Sequence, residues 1–166
     1  MRNQIADYLL LACLERDPEA AAVAAAFAAD SGLPIEWTGA LVAGEITPNG
    51  LGLTTAGQRR ITTPTPKQVA SSWADWSMDL PAMVGATRRM LRGMRTVSTG
   101  GRSSYLVKHL VEHITGVYVV NGAAILAAVL EGVPMRADRP NPTLLVAEAD
   151  VRAIERTIEI FAGRRA

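Results

Sequence analysis

The apolar positions in the first part of the chain recur at helical spacing. They lie on one face over residues 4–14, and Pro18 then begins a second, alanine-rich helix over residues 19–30. Pro34 begins a third helix, which ends near Gly44. The N-terminal part is therefore predicted to consist of three consecutive helices.

A β-hairpin is predicted directly after the third helix. Residues 45–47 and 51–53 are short β-prone runs, and Asn49 and Gly50 lie in the turn between them. Asn-Gly between two such runs is a strong hairpin signal, because both residues tolerate the positive φ that a tight hairpin turn requires.

The helix expected after the hairpin begins with LTTAGQR, residues 53–59. Three helices, a hairpin and this Leu-Thr-x-Ala-Gly-x-Arg stretch resemble the winged helix-turn-helix of bacterial regulators, and the resemblance covers about residues 1–60. It implies a unit whose third helix enters the major groove of DNA and reads base edges. The superfamily also contains protein-binding modules, so the resemblance implies a fold more directly than a function.

The third helix departs from that family in its charge. Residues 35–46 carry Glu36 and Glu45 but no lysine or arginine, and the tip of the hairpin offers no cation. Because carboxylates repel phosphates, DNA contacts would have to come from Arg59, Arg60 or the next segment of the chain. Without such contacts, the unit is a packing or partner-binding module.

Two prolines in residues 62–66 predict an extended linker. Thr65 then caps a new helix, with Gln68 placed to complete a capping box. The apolar stripe predicted for this helix consists of Val69, Trp73, Trp76 and Leu80. The stripe either docks the helix onto the N-terminal unit or forms a short dimer seam with tryptophan knobs.

A basic helix is predicted from Asp79 and Pro81 to about Thr96. Its cations are Arg88, Arg92 and Arg95 on one face and Arg89 at the edge, and Arg102 lies in the glycine-containing joint that follows. Three interpretations are open: contacts with nucleic-acid phosphates, docking on an acidic membrane or a partner's groove, or an ordinary solvated face.

The C-terminal segment is predicted to hold three helices and one strand. A helix over residues 104–115 precedes an almost wholly apolar helix over residues 122–131, which Asn121 caps and which belongs in a core. Residues 143–146 predict a strand, and Asp150 caps the final helix.

His109, Glu112 and His113 match the H-x-x-E-H pattern of inverzincin metallopeptidases. That resemblance implies zinc held by the two imidazoles, with Glu112 as general base, but the family also needs a third ligand far downstream in a larger fold. The alternative is that His113 borders the core and that Glu112 pairs with Lys108 or His109. We therefore predict no metal or other cofactor.

A second resemblance lies in the same segment. The stretch Ser-Tyr-x-x-Lys-His of residues 104–109 and the stretch Gly-x-Tyr-Val-x-Asn-Gly-Ala of residues 116–123 are similar to those of small uncharacterised proteins of phages and mobile elements. The resemblance implies a regulatory or host-manipulating role and no particular activity.

Composition narrows the class of protein. The 166 residues carry 17 basic and 16 acidic side chains and are 49% apolar, which supports a packed core and excludes intrinsic disorder. A lone cysteine, Cys13, excludes a disulfide framework. The longest apolar run, residues 117–130, is too short to span a bilayer, which needs about 20 residues. We expect a cytoplasmic protein that does not insert into membranes.

These observations predict a mainly α fold with a small β-hairpin wing, in three segments: residues 1–63, 64–102 and 103–166. The leading hypothesis is a homodimeric, non-enzymatic regulator that binds double-stranded DNA. Its phosphate contacts would be Arg59, Arg60, Arg88, Arg89, Arg92, Arg95 and Arg102. The alternative is a protein-binding adaptor or inhibitor, such as one carried by a phage against a host system.

Overall fold

The computed structural model describes residues 15–52 and 63–163. Arg59 and Arg60, the LTTAGQR stretch and the first predicted helix lie outside these residues. The described part is mainly helical with small antiparallel strand pairs, which confirms the predicted fold class. Within it, no helix is both long and apolar enough to cross a membrane.

The elements follow one another along the chain with short connections. The helices of the described part are α1 (Pro18–Ser31), α2 (Ile35–Ala43), α3 (Pro66–Ser72), α4 (Leu80–Arg92), α5 (Ser104–Thr115), α6 (Asn121–Leu130) and α7 (Glu148–Gly163). The strands are β1 (Ile46–Thr47), β2 (Gly50–Leu51), β3 (Arg102–Ser103), β4 (Met135–Arg136) and β5 (Thr143–Leu144).

A hairpin and a helix before it form where the sequence predicts them, and both are packed into the molecule. The turn differs from the prediction, because Gly50 pairs with Thr47 as the first residue of β2 and the turn consists of Pro48 and Asn49. Strands β1 and β2 pair antiparallel, with Ile46 opposite Leu51, and both strands contact α6. Helix α2 packs against α1, α3 and α6 and buries residues 38–42. The helix that would read bases in a winged helix-turn-helix is therefore largely an interior helix here.

Helix α3 is shorter than the predicted tryptophan stripe requires. It begins with the expected capping box of Thr65 and Gln68 but ends at Ser72, and turns with i to i−3 hydrogen bonds follow up to Asp79. The side chains of Ser71 and Ser72 both donate to main-chain carbonyls one turn back. Such bonds compete with helical ones, so a serine pair is a weak point in a helix.

Helix α6 is the centre of the core. All residues from Asn121 to Ala128 are buried, as the apolar composition predicts, and α4 is its most extensive neighbour. The cap differs from the prediction, because Val120 occupies that position and Asn121 is the first helical residue. A single hydrophobic cluster includes residues from all three predicted segments, among them Leu41, Val84 and Ile125.

A three-stranded antiparallel sheet closes the C-terminal side in the order β3-β5-β4. Arg102 and Met135 both lie opposite Leu144 of the central strand. An isolated bridge between Thr96 and Val146 continues this pairing toward α4. The sheet thereby brings the end of α4 next to the start of α7.

Two helical glycines are expected to respond oppositely to alanine. A Cβ at Gly122 would collide with the carbonyl of Thr47 and the ring of Trp73, whereas a Cβ at Gly85 has only Arg89 Nη1 within 4 Å, at 3.7 Å. We expect Gly122→Ala to lower the free energy of unfolding by roughly 1–3 kcal/mol. Gly85→Ala should raise it by about 0.5–1 kcal/mol, because glycine is the poorer helix former. Urea unfolding of both variants measures this, and equal effects would contradict the packing described.

Candidate functional site

The arginines predicted to contact phosphates lie against carboxylates of the same chain. Glu131 Oε1 is 2.5 Å from Arg88 Nε and 2.9 Å from Arg92 Nη2. Burial alone would raise the pKa of Glu131, but the hydrogen bonds from Arg92 and Arg88 outweigh it and hold the pKa below its ordinary value. Glu131 is thus a negatively charged partner of Arg88 and Arg92, two of the residues predicted to contact phosphates.

The remaining described arginines of the predicted site follow the same pattern, with one exception. Arg95 binds Asp150 with two guanidinium nitrogens and its main-chain N–H, so Asp150 is a partner of Arg95 rather than the predicted helix cap. Arg102 pairs with Glu148, which also accepts from Arg152. Arg89 is exposed at the edge of the face, as predicted.

This pairing reduces the charge that the arginine face offers to a polyanion. Five arginines meet three carboxylates, so the local excess of positive charge is smaller than the sequence suggests. Arg95 remains 71% exposed and Arg92 57% exposed. A phosphate approaching these side chains would have to compete with carboxylates already in place.

A second surface feature is a cleft of about 390 Å³, which we name the aromatic cleft. It is lined by residues of the hairpin, of α3 and the turns after it, of α5 and of the start of α6. Its aromatic walls are Trp76, Tyr105 and Tyr118, and its polar lining includes Asn49, Asp75, Lys108 and Asn121. The rings of Trp76 and Tyr118 stack with centroids 5.9 Å apart. Tyr105 is 50% exposed and Tyr118 is 60% exposed, so both present ring surface to solvent.

Helix α5 supplies one wall of the aromatic cleft through Tyr105 and Lys108. Tyr105, Lys108, His109 and Glu112 recur at intervals of three, one and three residues and share one face. Gly116, at φ 69°, ends the helix and turns the chain back, which brings Tyr118 to the same cleft. The carboxylate of Glu112 stabilises this turn by accepting a hydrogen bond from the main-chain N–H of Val119 at 3.0 Å.

Lys108 is a nearly buried cation at the base of the cleft. Its ammonium donates to Glu112 Oε1 at 3.1 Å and lies 5.2 Å and 5.5 Å from the ring centroids of Tyr105 and Tyr118. The predicted pairing of Glu112 is confirmed for Lys108 and also for His109, whose Nδ1 is 2.7 Å from Oε2. Two aromatic faces and one carboxylate thus stabilise a charge that is only 8% exposed.

Asn121 forms part of the floor, where α6 meets the hairpin. Its Nδ2 donates to Asn141 Oδ1 at 2.9 Å and lies 3.4 Å from the carbonyl oxygen of Asn49. Its Oδ1 is buried without a hydrogen-bond partner among the described residues. Gly50 permits this contact, because a Cβ there would lie 2.8 Å from Asn121 Nδ2.

The histidines are not assembled as a metal centre. Within the described ranges, no group of three or more histidine, cysteine, aspartate or glutamate side chains is placed to hold an ion. His109 packs edge-on to Tyr105 and bonds to Glu112. His113 is exposed, so the prediction that it borders the core is wrong.

Sequence reasoning did not assemble the aromatic cleft. It placed Trp76 in a packing stripe and Lys108 in a possible pair with Glu112, because a sequence pattern does not show which residues distant along the chain lie together in the fold. Four of its lining residues, Tyr105, Lys108, Tyr118 and Asn121, lie in the two short stretches of residues 104–109 and 116–123 that the sequence analysis singled out.

The Glu112 carboxylate should make stability depend on pH. Burial alone would raise its pKa, but the hydrogen bonds from Val119, Lys108 and His109 lower it below the ordinary 4.5. A depressed folded-state pKa stabilises the protein above the unfolded-state pKa, and this stabilisation is lost as the pH falls through the folded-state value.

We expect Glu112→Gln to lower the free energy of unfolding by about 1–3 kcal/mol at neutral pH, because Lys108 loses its charged partner. The difference from the wild type should shrink as the pH falls below 4.5. Urea unfolding across this range measures it, with the exposed Glu159→Gln as the matched control. A difference that does not depend on pH would contradict the network described.

Comparison with known proteins does not identify the aromatic cleft or the arginine face. No family model, no curated protein and no solved structure matches this chain. The function has to be inferred from the geometry of the aromatic cleft and the arginine face.

Proposed function

We propose that this protein is a non-enzymatic adaptor or inhibitor that binds another protein, and that the aromatic cleft is its docking site. The observation that carries the proposal is the grouping of two half-exposed tyrosines and a tryptophan around one concave, partly polar site. Tryptophan and tyrosine are enriched among the residues that dominate binding energy at protein interfaces. Their large rings bury area while losing few rotatable bonds.

The charges of the molecule support this proposal over the DNA-binding regulator. That hypothesis depends on a basic face free to neutralise phosphates, and Arg88, Arg92 and Arg95 each lie on a carboxylate of the chain. It also needs an accessible reading helix, whereas most of α2 is buried and its exposed start carries Glu36. Neither homodimer formation nor a relation to phage proteins is required by the proposal, and both stay predictions.

Selection from a library of short random peptides against the immobilised full-length protein tests the docking site. We expect enriched peptides whose affinity falls about tenfold or more with Tyr105→Ala or Tyr118→Ala, because each substitution removes exposed ring surface at the centre of the site. Ile160→Ala, an exposed apolar position on α7, is the matched control and should bind as the wild type does. Failure to enrich any peptide, or equal binding by the tyrosine variants, would overturn the proposal.

Titration with duplex DNA at several salt concentrations tests the competing hypothesis. We expect only non-specific affinity, about 10⁻⁴–10⁻⁶ M at physiological salt, with the salt dependence little changed in the double variant Arg92→Ala, Arg95→Ala. The exposed Arg136→Ala serves as the control for loss of one positive charge elsewhere. Tight binding whose salt dependence collapses in the double variant would instead favour the DNA-binding regulator.

A further inference from the structure

The aromatic cleft carries charges of both signs at close quarters. Lys108 lies at its base and Asp75 lies at its exposed rim, while Glu112 is bonded to Lys108 directly behind. An anion therefore meets the like charge of Asp75 in the cleft, and a cation meets the like charge of Lys108. A neutral ligand that has both a hydrogen-bond donor and an acceptor avoids this repulsion.

The hydrogen-bonding groups of the cleft are only partly used within the chain. The Lys108 ammonium has three donors, and among the described residues it bonds only to Glu112. Asp75 is exposed and makes no hydrogen bond within the described residues. The cleft thus offers donors at Lys108 and an acceptor at Asp75, which is the pairing that an amide group requires.

One acceptor atom in the floor of the cleft has no hydrogen-bond donor among the described residues. Asn121 is 3% exposed, and its Oδ1 has no hydrogen-bond partner in the described part of the chain. Its Nδ2 faces a main-chain carbonyl, that of Asn49, so the orientation of the amide is fixed by a group that cannot be inverted. Since buried polar atoms are normally satisfied, we expect this oxygen to accept from one enclosed water, which can in turn accept from a ligand donor.

From these observations we infer that the aromatic cleft binds an uncharged, extended stretch of a partner polypeptide and recognises its main chain. One peptide carbonyl accepts from Lys108, and a neighbouring peptide N–H donates to Asp75. Apolar side chains or proline of the segment lie against Trp76, Tyr105 and Tyr118, as in other aromatic-lined peptide grooves. This inference rests on the proposed adaptor function and adds the chemistry of the segment that docks.

The experiment uses peptides enriched by the wild-type protein in the selection described above. Each peptide bond in turn is replaced by an ester, which deletes one N–H, weakens the adjoining carbonyl as an acceptor and keeps the shape of the chain. We expect one replacement to weaken binding to the wild type about tenfold, as loss of a hydrogen bond to a charged group predicts. The same replacement should cost less than about twofold in Asp75→Ala, because the acceptor is already absent.

Two further measurements separate main-chain recognition from its alternatives. Lys108→Met should weaken binding of the same peptides about tenfold, and its thermal unfolding checks that the variant is folded. Asp75→Ala, at an exposed position, is a second variant whose effect does not depend on packing. Short single-stranded oligonucleotides are tested as competitors, because bases also stack on aromatic side chains.

The outcomes distinguish this inference from the proposed function. Enriched peptides that require an acidic or basic side chain, or that tolerate every ester, overturn main-chain recognition while leaving the adaptor proposal in place. Oligonucleotide binding that is lost in Tyr118→Ala overturns both in favour of a nucleic-acid site. No enrichment at all removes the adaptor proposal first, and the inference falls with it.

Discussion

The seating of the N-terminus of α6 against the hairpin is the contact on which the rest of the described structure depends. Gly122 lies so close to the carbonyl of Thr47 that a side chain would not fit, and its N–H donates to the carbonyl of Pro48 at 3.0 Å. The Trp73 indole donates to the carbonyl of Ile46, on the preceding strand. These contacts tie the hairpin, the segment after α3 and the central helix together.

That seating also creates the aromatic cleft. The tip of the hairpin, the turns after α3 and the loop before α6 all end at the same place, so Asn49, Trp76 and Tyr118 surround one depression. The floor is rigid because Asn121 is buried and bonded, while the tyrosines at the mouth keep half of their surface in solvent. A preorganised polar floor lowers the entropic cost of ordering a bound segment, which the proposed peptide docking requires.

Ion pairs within the chain also hold the elements of the fold together. Carboxylates from three later positions, Glu131, Glu148 and Asp150, lie beneath the arginines of the central segment. The arginine face therefore contributes to joining α4 to the end of α6 through Glu131. It also joins β3 and the segment after α4 to α7. The buried pair of Lys108 and Glu112 acts similarly for α5 and the loop before α6, since Glu112 bonds to both.

Local features of this chain were readable from its sequence. The helices that begin at Pro18, Pro66 and Ser104 each follow their own capping residue, because a cap depends on residues adjacent along the chain. The Asn-Gly pair likewise indicated a hairpin, although the turn itself consists of Pro48 and Asn49. The apolar composition of α6 likewise predicted its burial.

Only the tertiary structure decided which surfaces remain open. The arginines pair with carboxylates up to 55 residues away, and Tyr105 and Trp76 line one cleft. Such arrangements depend on how helices pack and leave no periodic trace in the sequence.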